Sequence, residues 1–402
     1  MSLYGTMRTG VSGMNAQANR LSTVGDNIAN SSTVGYKKAS TQFSSMILPS
    51  SNGSYNSGGV NTTVRYSINS QGAFTYTTSS TDLAINGEGF FIVSGADKSN
   101  YLTRAGNFEV QPDGTLKNAA GFTLMGYPYS STTDPTIVIN GFDGLAEVNV
   151  QAGGMSSTPS TTGVVSGNLP SGEAIGYSKS SSLVAYDSQG NSRLLDLKYT
   201  KNADNDWTLD ISYKDDVGTV HALGSHALRF DANGKLTTPA SGLVASTGLT
   251  IAGAQLNPLS VDVRDMSQLG AAYSIKGNIN GQGASAVDKV AISKDGVVSI
   301  LYKNGKSMPA YRIAMANVQS PNNLTPREGN VYSQSNDSGV IVMGYAGNSG
   351  YGSILSSALE DSNVDIGQEL TGMIEAQRNY TANSKVFQTG SELLETLVNL
   401  KR

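Results

Sequence analysis

His221 and His226 are the only imidazoles in the chain, and they stand five residues apart in His-Ala-Leu-Gly-Ser-His. A zinc pair on a helix needs a spacing such as i, i+4 and a third ligand. No His-Glu-x-x-His occurs, so these read as ordinary surface histidines. Asp204-Asn-Asp206 has the acidic look of a calcium loop, but neither it nor any Asp/Gly cluster continues to the closing glutamate, and hairpin turns are the better reading. Gly87-Glu-Gly89 lacks the third glycine and the following helix of a dinucleotide-binding turn. There is no P-loop and no Gly-x-Ser-x-Gly elbow. Cysteine is absent altogether, which removes disulfides, thiolate nucleophiles, Cys-ligated zinc and iron–sulfur clusters. Paired carboxylates for glycoside cleavage assemble only in the fold, so that chemistry stays open. With one tryptophan and few acids inside apolar runs, the expectation is no enzyme, no cofactor and no metal.

Such a chain is defined by its elements instead. It has 402 residues, enough for two or three domains, and only 14% are charged, against about 25% on average. A net charge of −4 argues against nucleic acid, which calls for a basic surface. The opening MSLYGTMRTGVSGMNAQANRL has no basic start and apolar core of a cleavable signal peptide. No apolar run is long enough to span a membrane. The abundance of Gly, Ser, Thr and Asn suits a secreted or assembled β protein.

Both ends carry a helical stripe. Met7, Val11, Met14, Ala18, Leu21, Gly25 and Ile28 recur at alternating steps of four and three, the repeat of a coiled-coil seam. Glycines at 5, 10, 13 and 25 weaken this helix, each by up to about 1 kcal/mol relative to alanine, so it needs a partner. The C-terminal stripe has one apolar column, Ile366, Met373, Tyr380, Phe387 and Leu394, beside a mixed one of Leu370, Gln377, Ser384, Ser391 and Val398. Asp365 and Gln368 mark its start as a capping pair. At 1.5 Å per residue the helices would reach about 40 and about 50 Å. The stripes fit packing on a core of their own or oligomerisation; their position at the chain ends favours the second.

Between them the period falls to two. Residues 83–85, 90–93, 136–139, 194–199, 207–211 and 297–301 read as strands. Four clusters ending at Gly114, Gly190, Gly234 and Gly296 read as hairpin turns. The expected fold is mostly β with long α-helices at both termini, as nested β domains between a terminal coiled-coil pair. The expected domains are a core helix over 1–30 paired with 360–402, an extended connector over 31–71, a discontinuous first β domain of 72–150 plus 285–345, and an inserted outer β domain over 151–284. The soft seams at 151–163 and 278–284 set the last of these.

Asp26-Asn27-Ile28-Ala29-Asn30, followed by Thr33-Val-Gly35-Tyr36-Lys37, resembles the N-terminal signature of the bacterial flagellar rod and hook family. Residue 26 is Asp where that family usually has Asn. Ser362-Asn363-Val364-Asp365, with Met373-Ile-Glu-Ala-Gln377-Arg378-Asn-Tyr380 further on, resembles its C-terminal signature. Asp82–Phe91 and Leu102–Phe108 are similar to its first β domain. Rod-forming members are shorter, so the length and the insertion resemble the hook-forming members. The alternatives are a distal-rod or hook-associated junction member and, outside the family, a secreted β-rich adhesin or hydrolase.

The resemblance implies a helical homopolymer: a flexible hollow tube that transmits torque from rod to filament as a universal joint. In it Met7, Val11, Met14, Leu21 and Ile28 would face Ile366, Met373, Tyr380, Phe387 and Leu394, with Leu370 of the second column also an assembly residue and the interruption at Gln377, Ser384 and Ser391 turned to neighbours or the channel. Implied partners are further copies of the chain, the flagellar rod, hook-cap and hook–filament junction proteins, and the flagellar type III export apparatus. No nucleic acid and no membrane insertion are expected. The chain would reach the extracellular flagellum without cleavage, and Phe43 and Ile47 match a short Phe-x-x-x-apolar export pattern.

Overall fold

The computed structural model describes residues 3–46, 58–130, 135–151, 154–348 and 350–399. They form two compact units, one of Met1–Ala152, Val290–Ile300 and Met308–Arg402, the other of Gly153–Lys289 and Leu301–Ser307.

In the first unit, helix α1 spans Leu3–Ala29 and helix α2 spans Ile366–Asn399. The Asp365 carboxylate caps α2, accepting from the backbone N–H of Gly367 at 2.8 Å and of Gln368 at 3.2 Å. α1 stops where the Asn30 amide folds back to the Asp26 carbonyl. The helices run antiparallel: Met7 lies against Gly390, Gly13 against Asn383, Arg20 against Glu375, and Asn27 against Glu369.

The segment expected as an extended connector holds an antiparallel hairpin, β1 (Ala39–Met46) paired with β2 (Gly59–Tyr66). It lies along α1, tied to it by hydrogen bonds from polar side chains. The Thr9 hydroxyl donates to the Gly58 carbonyl, Ser12 exchanges bonds with the backbone of Val60, and the Asn19 amide donates to the Thr62 hydroxyl. A hairpin so exposed needs no alternating apolar pattern, which is why the sequence hid it.

The largest sheet has Ser307–Asn317, Thr123–Pro128, Phe90–Ser94, Asn100–Thr103, Val331–Ser333 and Thr325–Arg327 following one another, and two-stranded pairs join Phe74–Tyr76 to Ala358–Glu360 and Leu83–Asn86 to Ser353–Ser356. Phe91 and Val93 join one core cluster with Leu83, Phe108 and Ile313, while Phe90 and Ile92 join another with Ile68, Leu102 and Tyr332. A strand covered on both faces reads as a continuous apolar run, as Phe90-Phe-Ile-Val93 does. Thr136–Ile139 is a correction: it forms no strand. Ile137 tucks against the second cluster, Ile139 is exposed, and the Ile139 carbonyl accepts from the Met343 N–H.

The second unit has one core cluster, centred on Trp207, Tyr199 and Leu209. A five-stranded meander (Ser178–Tyr186, Ser192–Ala203, Asp206–Lys214, Val220–Phe230, Leu236–Thr238) contributes to it, as does a second five-stranded sheet built around Thr162–Pro170. The four expected turns form, with Gly114, Gly190, Gly234 and Gly296 all at φ between +75° and +84°, where glycine is unstrained. The chain returns to the first unit at Val290 rather than near 285, then re-enters the second for Leu301–Ser307.

Candidate assembly site: the helix pair and its polar root

α1 meets its partner helix where small residues of one helix face side chains of the other, among them Met7 and Phe387 of the anticipated stripes. A Cβ on Gly10 would lie 3.3 Å from the Asn383 carbonyl, one on Gly13 2.7 Å from the Asn383 side chain, and one on Gly390 2.7 Å from Met7. Ala376 is fully buried here. Of the stripe residues, Met7, Met14, Leu21, Ile28, Met373, Phe387 and Leu394 are half-buried along the flank of this contact. Val11, Ile366, Leu370 and Tyr380 are exposed, together with Ile374, Val386, Leu393 and Leu397. The glycines that count against α1 as an isolated helix are therefore what lets α2 approach. Gly25 is different, with nothing within 4 Å of its Cβ position. Gly25→Ala is expected to raise the stability of the helix pair by up to about 1 kcal/mol, read from thermal melts of the full chain.

The signature residues gather where the helices join the β region. Asn27, fully buried, donates to the Ala39 carbonyl at 2.7 Å and to the Glu369 carboxylate at 3.0 Å, and accepts from the Ala39 N–H at 2.9 Å. The Tyr36 hydroxyl donates to the Asn27 side-chain oxygen. Asn363 accepts from the Lys38 N–H at 2.7 Å and donates to the carbonyls of Ser67 and Ser70. Gly35 sits at φ +67°, its would-be Cβ 2.6 Å from the Ala105 nitrogen, and its N–H donates to the Glu360 carbonyl. Only glycine fits there. Asn30 ends α1, and the Ser362 hydroxyl accepts from the Val364 N–H. Ala29 is exposed. Gln377 and Arg378 lie exposed along α2, outside this cluster.

At its centre is a buried ion triad. Glu360 is 0% exposed and pairs with Lys37 Nζ at 2.5 Å and Arg104 Nη1 at 3.2 Å, while also accepting from the Gly72 N–H. Lys37 donates to the Ser70 carbonyl, Arg104 to the carbonyls of Ile85 and Gly87, and the guanidinium lies 5.2 Å from the centre of the Phe90 ring. Burial pulls the Lys37 amine below the usual lysine range, outweighing the raising effect of Glu360. Nearer the surface, Lys38 pairs with Glu369.

Tyr36 is pushed up to about 12, first by burial and then by the charges of Asp26 and Glu369 and by Tyr66. A phenol raised in the folded state stabilises it below the ordinary value of 10.0 and loses that contribution as pH climbs toward about 12. The first unit's melting temperature should therefore fall across that window, and Tyr36→Phe should blunt the fall.

Arg104, Glu360, Lys38 and Glu369 are the functional residues that pattern reading passed over. The residues weighed for chemistry sit in the second unit as structural groups: His221 pairs with Asp215 at 3.1 Å, His226 reaches the Ala245 carbonyl, Asp204 stands 3.9 Å from Lys201, and Asp206 pairs with Arg229. Among the described residues no cluster of three His, Asp or Glu could hold a metal ion. Phe43 is exposed on β1, whereas Ile47 lies outside the described residues.

Four family profiles match in chain order. One described as Flagella basal body rod protein covers residues 7–37 and one described as Flagellar hook protein FlgE/F/G D1 domain covers 84–167. Flagellar basal body protein FlaE D2 domain covers 149–282, and Flagellar basal body rod FlgEFG protein C-terminal covers 355–400. The chain is 58% identical over 407 residues to the flagellar hook protein FlgE of Rhizobium meliloti, spanning all of both chains. It is 48% identical over 408 residues to that of Brucella suis, again over all of both. To that of Salmonella typhimurium it is 33% identical, covering 97% of this chain and 98% of the other.

Proposed function

We infer that this chain, which belongs to the flagellar hook protein family, is a structural subunit of the bacterial flagellar hook. The observation that carries the reading is full-length identity to a hook protein, with no part of either chain left over. Its work is to polymerise and bear load, not to catalyse. Subunits join through the flanks of the helix pair, where Val11, Ile366, Leu370, Ile374, Tyr380, Val386, Leu393 and Leu397 present apolar surface that their own chain leaves uncovered. Met7, Met14, Leu21, Ile28, Met373, Phe387 and Leu394, half-covered by the pair, complete their burial against neighbouring copies. Gln377, Ser384 and Ser391 give that surface polar breaks facing neighbours or a central channel.

The tube transmits torque from rod to filament while bending, with the rod, hook-cap and hook–filament junction proteins at its ends. Subunits reach it through the type III apparatus without cleavage, and Phe43 with Ile47 serves as an export contact. The weakly charged surface supports a flexing role, because exposed polar contacts of roughly 0–1 kcal/mol exchange easily. Electron microscopy of the purified full chain at high concentration tests the reading. Curved hollow tubes are expected, and a chain that stays monomeric or forms only amorphous aggregate counts against it.

The second unit should be dispensable for polymerisation. The ends of its bulk, residues 164–280, are neighbours, with Gly163 opposite Ile279 in register and the Asn280 N–H donating to the Thr162 carbonyl. Deleting 164–280 thus removes strands without stretching what remains. Tubes of altered bending stiffness are the expected product by microscopy. No tubes at all would show that the second unit is needed for assembly.

A further inference from the structure

α2 leaves the β region through Asp361–Asp365, which has neither helix nor strand. Two consecutive lysines grip the chain on either side of this joint: Lys37 holds Glu360 before it, and Lys38 holds Glu369 in the first turn after it. The two grips differ in their access to solvent. The Lys37, Glu360 and Arg104 side chains are 1%, 0% and 4% exposed, whereas in the outer pair Glu369 is 4% exposed but Lys38 is 28% exposed. Water and dissolved ions reach the lysine end of the outer pair alone, so thermal motion and screening act there while the inner triad stays closed. We propose that the Lys38–Glu369 pair is a latch that sets the angle of α2 at the Asp361–Asp365 joint.

Asn27 decides what moves when the latch opens. Its amide donates to the other oxygen of the Glu369 carboxylate, and this uncharged donor is not removed by salt. The first turn of α2 therefore stays attached to α1 and, through the Asn27 bonds to the Ala39 backbone, to the start of β1, so any swing is small and carries the helices together. The Asn363 bonds to Lys38, Ser67 and Ser70 keep the middle of the joint in place and limit the swing. The latch rests on the geometry of the first unit alone. In a bent tube, and here it leans on the hook reading, it would let subunits on the inner and outer side of the curve adopt different angles.

The absence of cysteine makes the test direct. Gln388→Cys on α2 and Glu109→Cys on the β region, both exposed, accept a pair of spin labels on the full-length monomer. At low ionic strength the distance distribution should be narrow. It should lose that single narrow peak at about 1 M salt, where the Debye length is about 3 Å. Lys38→Gln should be broad at both, and Lys38→Arg should restore the narrow peak at low salt. A Lys38→Gln distribution as narrow as the parent's at low salt, or a parent unmoved by salt, overturns the latch. So does a Lys38→Gln loss of thermal stability equal to that of Lys37→Gln, which would make the outer pair a structural bond. Because the monomer is measured, the result does not depend on whether tubes form.

Discussion

Glu360→Gln is expected to unfold the first unit at a markedly lower temperature while leaving the second unit's transition where it was. The substitution keeps the shape and one acceptor but removes the anion that pairs with two buried cations, Lys37 and Arg104. An ion taken out of water is tolerated only while its partner is present, and breaking a buried pair from one side costs roughly 3–5 kcal/mol. Glu360 has two partners and a backbone donor, so the upper part of that range is expected. The second unit shares none of these residues and serves as the internal reference in a calorimetric scan. A shift worth under about 1 kcal/mol would mean that water reaches the triad. The matching triple replacement, Lys37→Met, Arg104→Met and Glu360→Leu, separates stability from geometry. Apolar substitutes for a whole buried ion cluster are often neutral or stabilising, so this variant should melt near the parent. If the triad fixes how the helices leave the β region, its tubes should nevertheless have altered curvature or fail to form.

What could be read in advance follows the range of the interactions. The lengths of α1 and α2, the Asp365 cap and the four Gly turns depend on residues within a few positions of each other, and the sequence states them openly. The covered strand at Phe90–Ser94 is equally plain, because burial on both faces leaves an apolar run. The triad is not legible that way. Lys37 and Glu360 are 323 positions apart, and a lone lysine and a lone glutamate carry no mark of burial. β1 and β2 escaped for the opposite reason: their bonds to α1 come from Thr9, Ser12 and Asn19, polar residues indistinguishable from solvated ones. Thr136–Ile139 has the β-branched apolar run of a strand without its burial, since only Ile137 of its isoleucines packs against a core. The family signature did better than periodicity here, since its Asn27, Gly35, Lys37 and Asn363 all lie in the root.

The helix pair gives the sharpest test of a reading that sequence alone reverses. By helix propensity, replacing glycine in the middle of α1 should help, by up to about 1 kcal/mol for alanine. By the structure, Gly13→Val should do the opposite, because its Cβ already meets the Asn383 side chain at 2.7 Å and valine adds two methyl groups. Overpacking of this kind costs about 1–3 kcal/mol. Loss of helical signal and of tube formation is expected, with both β regions still folded by calorimetry. Asn383→Ala on the facing helix vacates the space. The double variant should therefore recover helix and tubes in part, with a coupling energy of roughly 0.5–3 kcal/mol in a double-mutant cycle. Strictly additive effects would place the damage in α1 alone. The same logic predicts that Gly25→Val, facing open space, costs nothing and gains the small propensity difference by which a β-branched residue exceeds glycine in a helix. Position on the helix, rather than glycine content, then governs whether the termini pair.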